Sequence, residues 1–146
     1  MTKPDQPIVA FFLVPKSEVI YEHENSTMRQ ALERMEYHRY TAIPILDNNG
    51  RYVSTITEGD LLWKIKNDNL SFQDTNNINL SEVPKNMKNY TVSINVSIEE
   101  LVLLAGEQNF VPVVDDQQYF IGIVKRGDII HYCYEEIFKS REKQPS

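Results

Sequence analysis

Two short segments carry the residue types that could do chemistry, Thr57-Glu58-Gly59-Asp60 and Lys125-Arg126-Gly127-Asp128. Each lies at the link from a strand pattern into a helix pattern, so each sits at a helix start. An exposed helix start offers free N–H groups and the positive end of the helix dipole, which suits an anion. In the first segment Thr57 fits an N-cap, with Asp60 three residues on. Plain helix capping therefore stands beside ligand binding as a reading. In the second, Lys125 and Arg126 oppose the dipole at a cost of about 0.3–1 kcal/mol each. A phosphate held by the N–H groups and both cations removes that conflict. The alternative is solvated basic residues pairing with nearby acids. With a nucleotide phosphate at such a start, Asp60 and Asp128 are placed to accept hydrogen bonds from ribose hydroxyls.

Tyr40-Thr41-Ala42-Ile43 enters a strand pattern, and the small Ala42 suits a flat base read by backbone groups. Core packing is the other reading of Ala42 and Ile43. The matching position in the second half of the chain is the bulkier Phe110. No catalytic residue is expected. His23, His38 and His131 lack the spacing of a metal pair, so no metal site is expected either. Cys133 lies beside apolar helix positions and reads as a small buried hydrophobe. No nucleophile-elbow, Walker or dinucleotide-binding glycine motif is present in the sequence. The chain is not expected to be an enzyme.

The elements that position these residues come in duplicate. Val14-Pro15-Lys16 recurs as Val83-Pro84-Lys85, and Ile43-Pro44-Ile45-Leu46-Asp47 recurs as Val111-Pro112-Val113-Val114-Asp115. Gly59-Asp60-Leu61-Leu62 answers Gly127-Asp128-Ile129-Ile130. Such self-similarity decides the architecture. Each copy opens on a short extended segment, Val19–Tyr21 or Tyr90–Val92. Thr27-x-x-Gln30 and Ser97-x-x-Glu100 then read as capping boxes. Helix faces follow at Met28, Ala31, Leu32 and Met35, and at Ile98, Leu101, Val102 and Ala105. Two strands joined by a turn, and a second helix, complete a β-α-β-β-α repeat. The fold class is therefore α+β, two such repeats related by pseudo-twofold symmetry, each with a three-stranded sheet. Ligand sites favour the clefts between such halves. The boundaries read as an apolar N-terminal segment 1–13, repeat one 14–66, a linker 67–82, repeat two 83–138 and a flexible tail 139–146.

The chain of 146 residues is long enough for a real core, and its composition is that of a globular protein. A net charge of −6 disfavours nucleic acid as a partner. One cysteine excludes an intramolecular disulfide framework. The apolar run Ile8–Val14 is too short to span a membrane and lacks the flanks of a signal peptide. A cytoplasmic protein with no membrane partner is expected.

At these residues the sequence resembles the CBS domain family, as a tandem pair or Bateman module. Copy one carries Ala31-Leu32-x-x-Met35, Ile43-Pro44-Ile45-Leu46-Asp47 and Thr57-x-x-Asp60. Copy two carries Val111-Pro112-Val113-Val114-Asp115, Gly122 and Asp128. The chain departs from the pattern at Ser54, where glycine is usual, and at Lys125, where a hydroxyl is usual. The resemblance implies regulatory binding of AMP, ADP, ATP or cyclic di-AMP, with no other cofactor. It implies a homodimer and a regulated partner protein. Cleft A would use Val19, Ile20, Tyr40, Thr41, Ala42 and Ile43 with Lys125, Arg126 and Asp128. Cleft B would use Thr91, Val92, Asn109, Phe110 and Val111 with Thr57 and Asp60. Cleft A is favoured because it joins the small Ala42 to two cations. A ligand-free dimerisation or interaction module is the competing reading.

Overall fold

The computed structural model describes residues 9–86 and 88–142. The first eight residues of the expected N-terminal segment and the last four of the expected tail lie outside the described residues. Helix α1 (Met28–His38) begins where the sequence places it. Thr27 Oγ1 accepts the Gln30 N–H at 3.1 Å, and Gln30 Oε1 accepts the Thr27 N–H at 2.8 Å. Two orphan donors are thereby satisfied reciprocally. Its counterpart α3 (Ile98–Ala105) is capped by Ser97 alone, which accepts the Glu100 N–H at 3.2 Å. The expected return bond from Glu100 does not form, and Val102 stands on the exposed side of the helix.

The strands are β1 (Leu13–Pro15), β2 (Glu22–His23), β3 (Ala42–Leu46), β4 (Tyr52–Thr57), β5 (Val92–Ser93), β6 (Phe110–Val114) and β7 (Phe120–Lys125). The opening strands lie later than expected, after Tyr21 and at the end of Tyr90–Val92. They form only where a parallel partner runs alongside: Glu22 opposite Ile45, and Val92 opposite Val113. Helices α2 (Glu58–Asn67) and α4 (Arg126–Glu142) follow β4 and β7 without a break. Helix α4 runs into the segment expected to be a flexible tail.

The chain divides into two compact units. One unit holds Ile20–Asn89 and Gln117–Phe120, with a sheet of order β2-β3-β4. Its core packs Met28, Ala31 and Met35 of α1 against Ile43, Ile45, Ile56 and Leu61. Leu80 and Val83, which lead into the second repeat in sequence, are buried in this same core. The segment 117–120 straps onto the unit: Phe120 is buried and stacks on Tyr52, and the Arg51 guanidinium lies 4.7 Å over the Tyr119 ring.

The other unit holds, among the described residues, 9–19, Tyr90–Asp116 and 121–142. Its sheet has four strands, in the order β1-β7-β6-β5, where a three-stranded one was expected. The added strand is β1, paired antiparallel to β7 with Pro15 opposite Gly122. Val9, Phe12 and Leu13 pack into this unit's core with Val92, Leu101, Val111, Val113, Val124 and Ile129. The segment before each repeat thus packs into the core built by the other repeat.

Gly122 shows why β1 can pair there. A Cβ at this position would lie 2.2 Å from the Val14 carbonyl oxygen. Ser54 holds the matching place in copy one, where β4 is the edge of its sheet and no further strand lies outside it among the described residues. Its Oγ is buried and has no hydrogen-bond partner among the described residues.

Candidate functional site

Each unit brings together the strand-entry and helix-start residues of one repeat. In the unit containing α1, Ala42 pairs with Thr57 and Ile43 with Ile56. The Glu58 N–H donates to the Thr41 carbonyl at 3.0 Å. Tyr40, Thr41, Ala42 and Ile43 therefore run beside Thr57–Asp60. Tyr40 is exposed and stacks on the His38 ring at a centroid distance of 5.6 Å. Ile20 packs against the same core. A groove of about 810 Å³ opens between α1 and α2, lined by Met35, Tyr40, Thr41, Glu58, Leu62 and Phe72 among others.

Thr57 and Asp60 form a complete capping box. Thr57 Oγ1 accepts the Asp60 N–H at 3.1 Å, and Asp60 Oδ2 accepts the Thr57 N–H at 3.0 Å. The other carboxylate oxygen, Oδ1, accepts two donors from Asn86: its backbone N–H at 3.0 Å and its side-chain Nδ2 at 3.2 Å. Asp60 is only 4% exposed. Lys85 lies next in the chain and donates to the Leu80 carbonyl at 2.7 Å. Partial burial holds the Lys85 ammonium below the usual lysine pKa, and the charges of Asp60 and Glu24 pull it back up. A hollow of about 110 Å³ lies here, lined by Asp60, Trp63, Lys64, Pro84 and Asn86 among others.

In the other unit a glutamine organises the matching region. Gln108 is buried; its Oε1 accepts the Tyr90 N–H at 2.7 Å. Its Nε2 donates to the carbonyls of Tyr90 and Phe110, each at 3.1 Å. The Gln108 carbonyl accepts Arg126 Nε at 2.7 Å. One residue therefore fastens the approach to β5, the start of β6 and the first residue of α4. Val92, Phe110 and Val111 are buried, Thr91 is half-buried and Asn109 is exposed. Val19 is buried and closes a short turn over Lys16–Glu18.

Lys125 ends β7 and Asp128 lies in the first turn of α4, both exposed. Among the described residues neither has a hydrogen-bond or ion-pair partner. This is the reverse of Asp60, although the two aspartates hold the same place in the repeat. The two expected clefts each draw residues from both units. Within a unit, the structure joins Tyr40–Ile43 to Thr57–Asp60, and Asn109–Val111 to Lys125–Asp128.

Sequence reasoning missed Gln108 and Asn86. Both act through amide hydrogen bonds to distant backbone or side-chain atoms, and neither belongs to a local pattern. Among the described residues no group of three His, Cys, Asp or Glu is placed to hold a metal ion. No described helix is long and apolar enough to cross a membrane.

The model of one protein family, the CBS domain, matches the chain twice, over residues 13–67 and 80–135. Among curated proteins no sequence matches. Several solved structures share the fold. A CBS domain protein from Streptococcus pneumoniae is 22% identical with a TM-score of 0.79, covering 88% of this chain and 87% of that one. The CbpB protein of Listeria monocytogenes, solved in complex with c-di-AMP, is 21% identical with a TM-score of 0.78, covering 89% and 97%. CBSX2, solved in complex with AMP, is 21% identical with a TM-score of 0.69, covering 88% and 96%.

Proposed function

The chain belongs to the CBS domain family, with two copies in tandem, and from that premise we propose that it is a regulatory module binding an adenosine nucleotide. The observation that carries the reading is the start of α4. Among the described residues the side chains of Lys125 and Asp128 have no partner, and they stand exposed at a helix N-terminus where two adjacent cations oppose the helix dipole. A bound phosphate resolves that opposition, and a ribose gives the free carboxylate its hydrogen-bond donors. Support comes also from structural relatives solved with c-di-AMP and with AMP.

The residues assigned to the site are those of cleft A. Val19, Ile20, Tyr40, Thr41, Ala42 and Ile43 take the base, Lys125 and Arg126 the phosphate, and Asp128 the ribose. The ligand is AMP, ADP, ATP or cyclic di-AMP, and binding biases a surface that a partner protein reads. Regulation rather than catalysis is the role, exercised in the cytoplasm. Mass spectrometry of small molecules released from the denatured protein identifies the nucleotide, and calorimetry measures it. Asp128→Ala is expected to weaken adenosine and its nucleotides alike by about tenfold or more. Lys125→Ala is expected to weaken only the phosphorylated ligands. Equal loss for adenosine in the Lys125 variant contradicts the assignment.

The outer face of α4 supports a homodimer and keeps a second reading in view. Ile129 and Cys133 pack inward, whereas Ile130, Tyr134, Ile137 and Phe138 are exposed at helical spacing. A ligand-free interaction module would use this face alone. In light scattering the purified protein should run as a dimer, and Ile130→Glu with Tyr134→Glu as a monomer. A dimer that binds none of the four nucleotides favours the second reading.

A further inference from the structure

We propose that only one of the two helix-start motifs is open to a nucleotide, because the opening segment of the chain's own second repeat occupies Asp60 and Asn86 acts as the latch. The inference rests on the adenosine-nucleotide reading and decides how many sites the chain has. Thr57-Glu58-Gly59-Asp60 and Lys125-Arg126-Gly127-Asp128 are the same place in two repeats. Their aspartates are in opposite states. Asp60 is 4% exposed and takes three N–H donors, one from Thr57 and two from Asn86. A carboxylate has about four acceptor positions, so three donors nearly fill it. Its burial closes the approach of a diol that must donate twice. Asp128 is exposed and has no partner among the described residues.

Charge separates the motifs in the same direction. Glu58 stands where the second copy has Arg126, and it is exposed on the first turn of α2. A phosphate at that helix start meets a carboxylate, whereas at α4 it meets two cations. The latch is held from behind. Lys85 is anchored to the Leu80 carbonyl, and Leu80 and Val83 are buried in the core. Asn86 is thus fixed by its chain neighbours, and a ligand competing for Asp60 must first displace it. The apparent affinity there is lowered by the fraction of time the latch is closed.

Calorimetric stoichiometry tests the proposal, with the tightest binder among AMP, ATP and cyclic di-AMP as titrant. The wild-type chain is expected to take one nucleotide. Asn86→Ala removes the side-chain donor and enlarges the hollow beside Oδ1, so a second, weaker event should appear. Asn86→Gly should do the same, and both should fold because the Asn86 side chain is exposed. Adding Asp60→Asn to Asn86→Ala should return the count to one. A wild-type chain that binds two nucleotides overturns the latch, as does a count of one in both Asn86 variants. Binding of none of the three by wild type or variants overturns the nucleotide reading itself, which is a different result.

Discussion

Gly122 and Ser54 occupy the same place in the two repeats and meet different neighbours. At Gly122 the β1 backbone comes so close that a Cβ would strike the Val14 oxygen. At Ser54 no strand lies outside β4 among the described residues, and a side chain fits. The reciprocal exchanges should therefore be unequal. Gly122→Ser should cost about 3 kcal/mol through forced backbone movement, and Ser54→Gly about 1 kcal/mol or less through added chain freedom. Urea denaturation of the two variants measures the difference. A second residue sets a pH dependence. The Asp47 carboxylate accepts the N–H groups of Arg51 and Asn49, each at 2.9 Å. The Arg51 bond most of all holds its pKa below the ordinary 3.8, against some desolvation. A carboxyl with a depressed folded pKa stabilises the fold above its unfolded value and loses that effect as pH falls through the folded one. Asp47→Ala should be less stable than wild type at pH 7, with the gap closing below about pH 3.8 in acid titrations of the unfolding midpoint. The turn that joins the two strands of copy one, which Asp47 opens just after β3, was legible because turn chemistry is local. The partners of Asp60, Gly122 and Gln108 were not, because each is met through the folded chain rather than along it.

At the scale of elements, the helix starts repeat the division between local and distant causes. Thr27 and Thr57 were readable as N-caps because a cap involves residues three apart, and both form full capping boxes. Thr57→Ala should lower stability by about 1 kcal/mol, checked by thermal or urea unfolding. A two-residue strand is another matter. Val19–Tyr21 has extended-chain residue types, yet the strand forms at Glu22–His23, where β3 supplies a partner. Pairing decided the boundary, and composition alone carries no information about it. Helix α4 is apolar on two faces, so its sequence fits a helix without saying which face is inside. The packing of Ile129 and Cys133 settles that.

At the scale of the whole molecule, duplication was legible but the exchange of segments was not. Repeats read along a sequence as consecutive blocks, whereas one compact unit joins residues 9–19 to 121–142 and the other takes up Gln117–Phe120. A fragment covering residues 14–66 lacks Leu80, Val83 and Phe120, all buried in or strapped onto its unit. Losing three such side chains removes about 1.5–3 kcal/mol each, comparable to the net stability of a small domain. By circular dichroism that fragment should show no cooperative thermal transition, while the full chain does. The pairing of Val14 with Ile123 carries the same geometry into synthesis. Among the described strands β1 is made first and its partner β7 last, so β1 must wait for its place while the strands between them are made. Until then Val9, Phe12 and Leu13 remain without the core that buries them. Such long-range closure slows folding and leaves an apolar stretch open to aggregation while the chain is still growing. A nascent chain stalled before β7 should therefore be the form most dependent on chaperones.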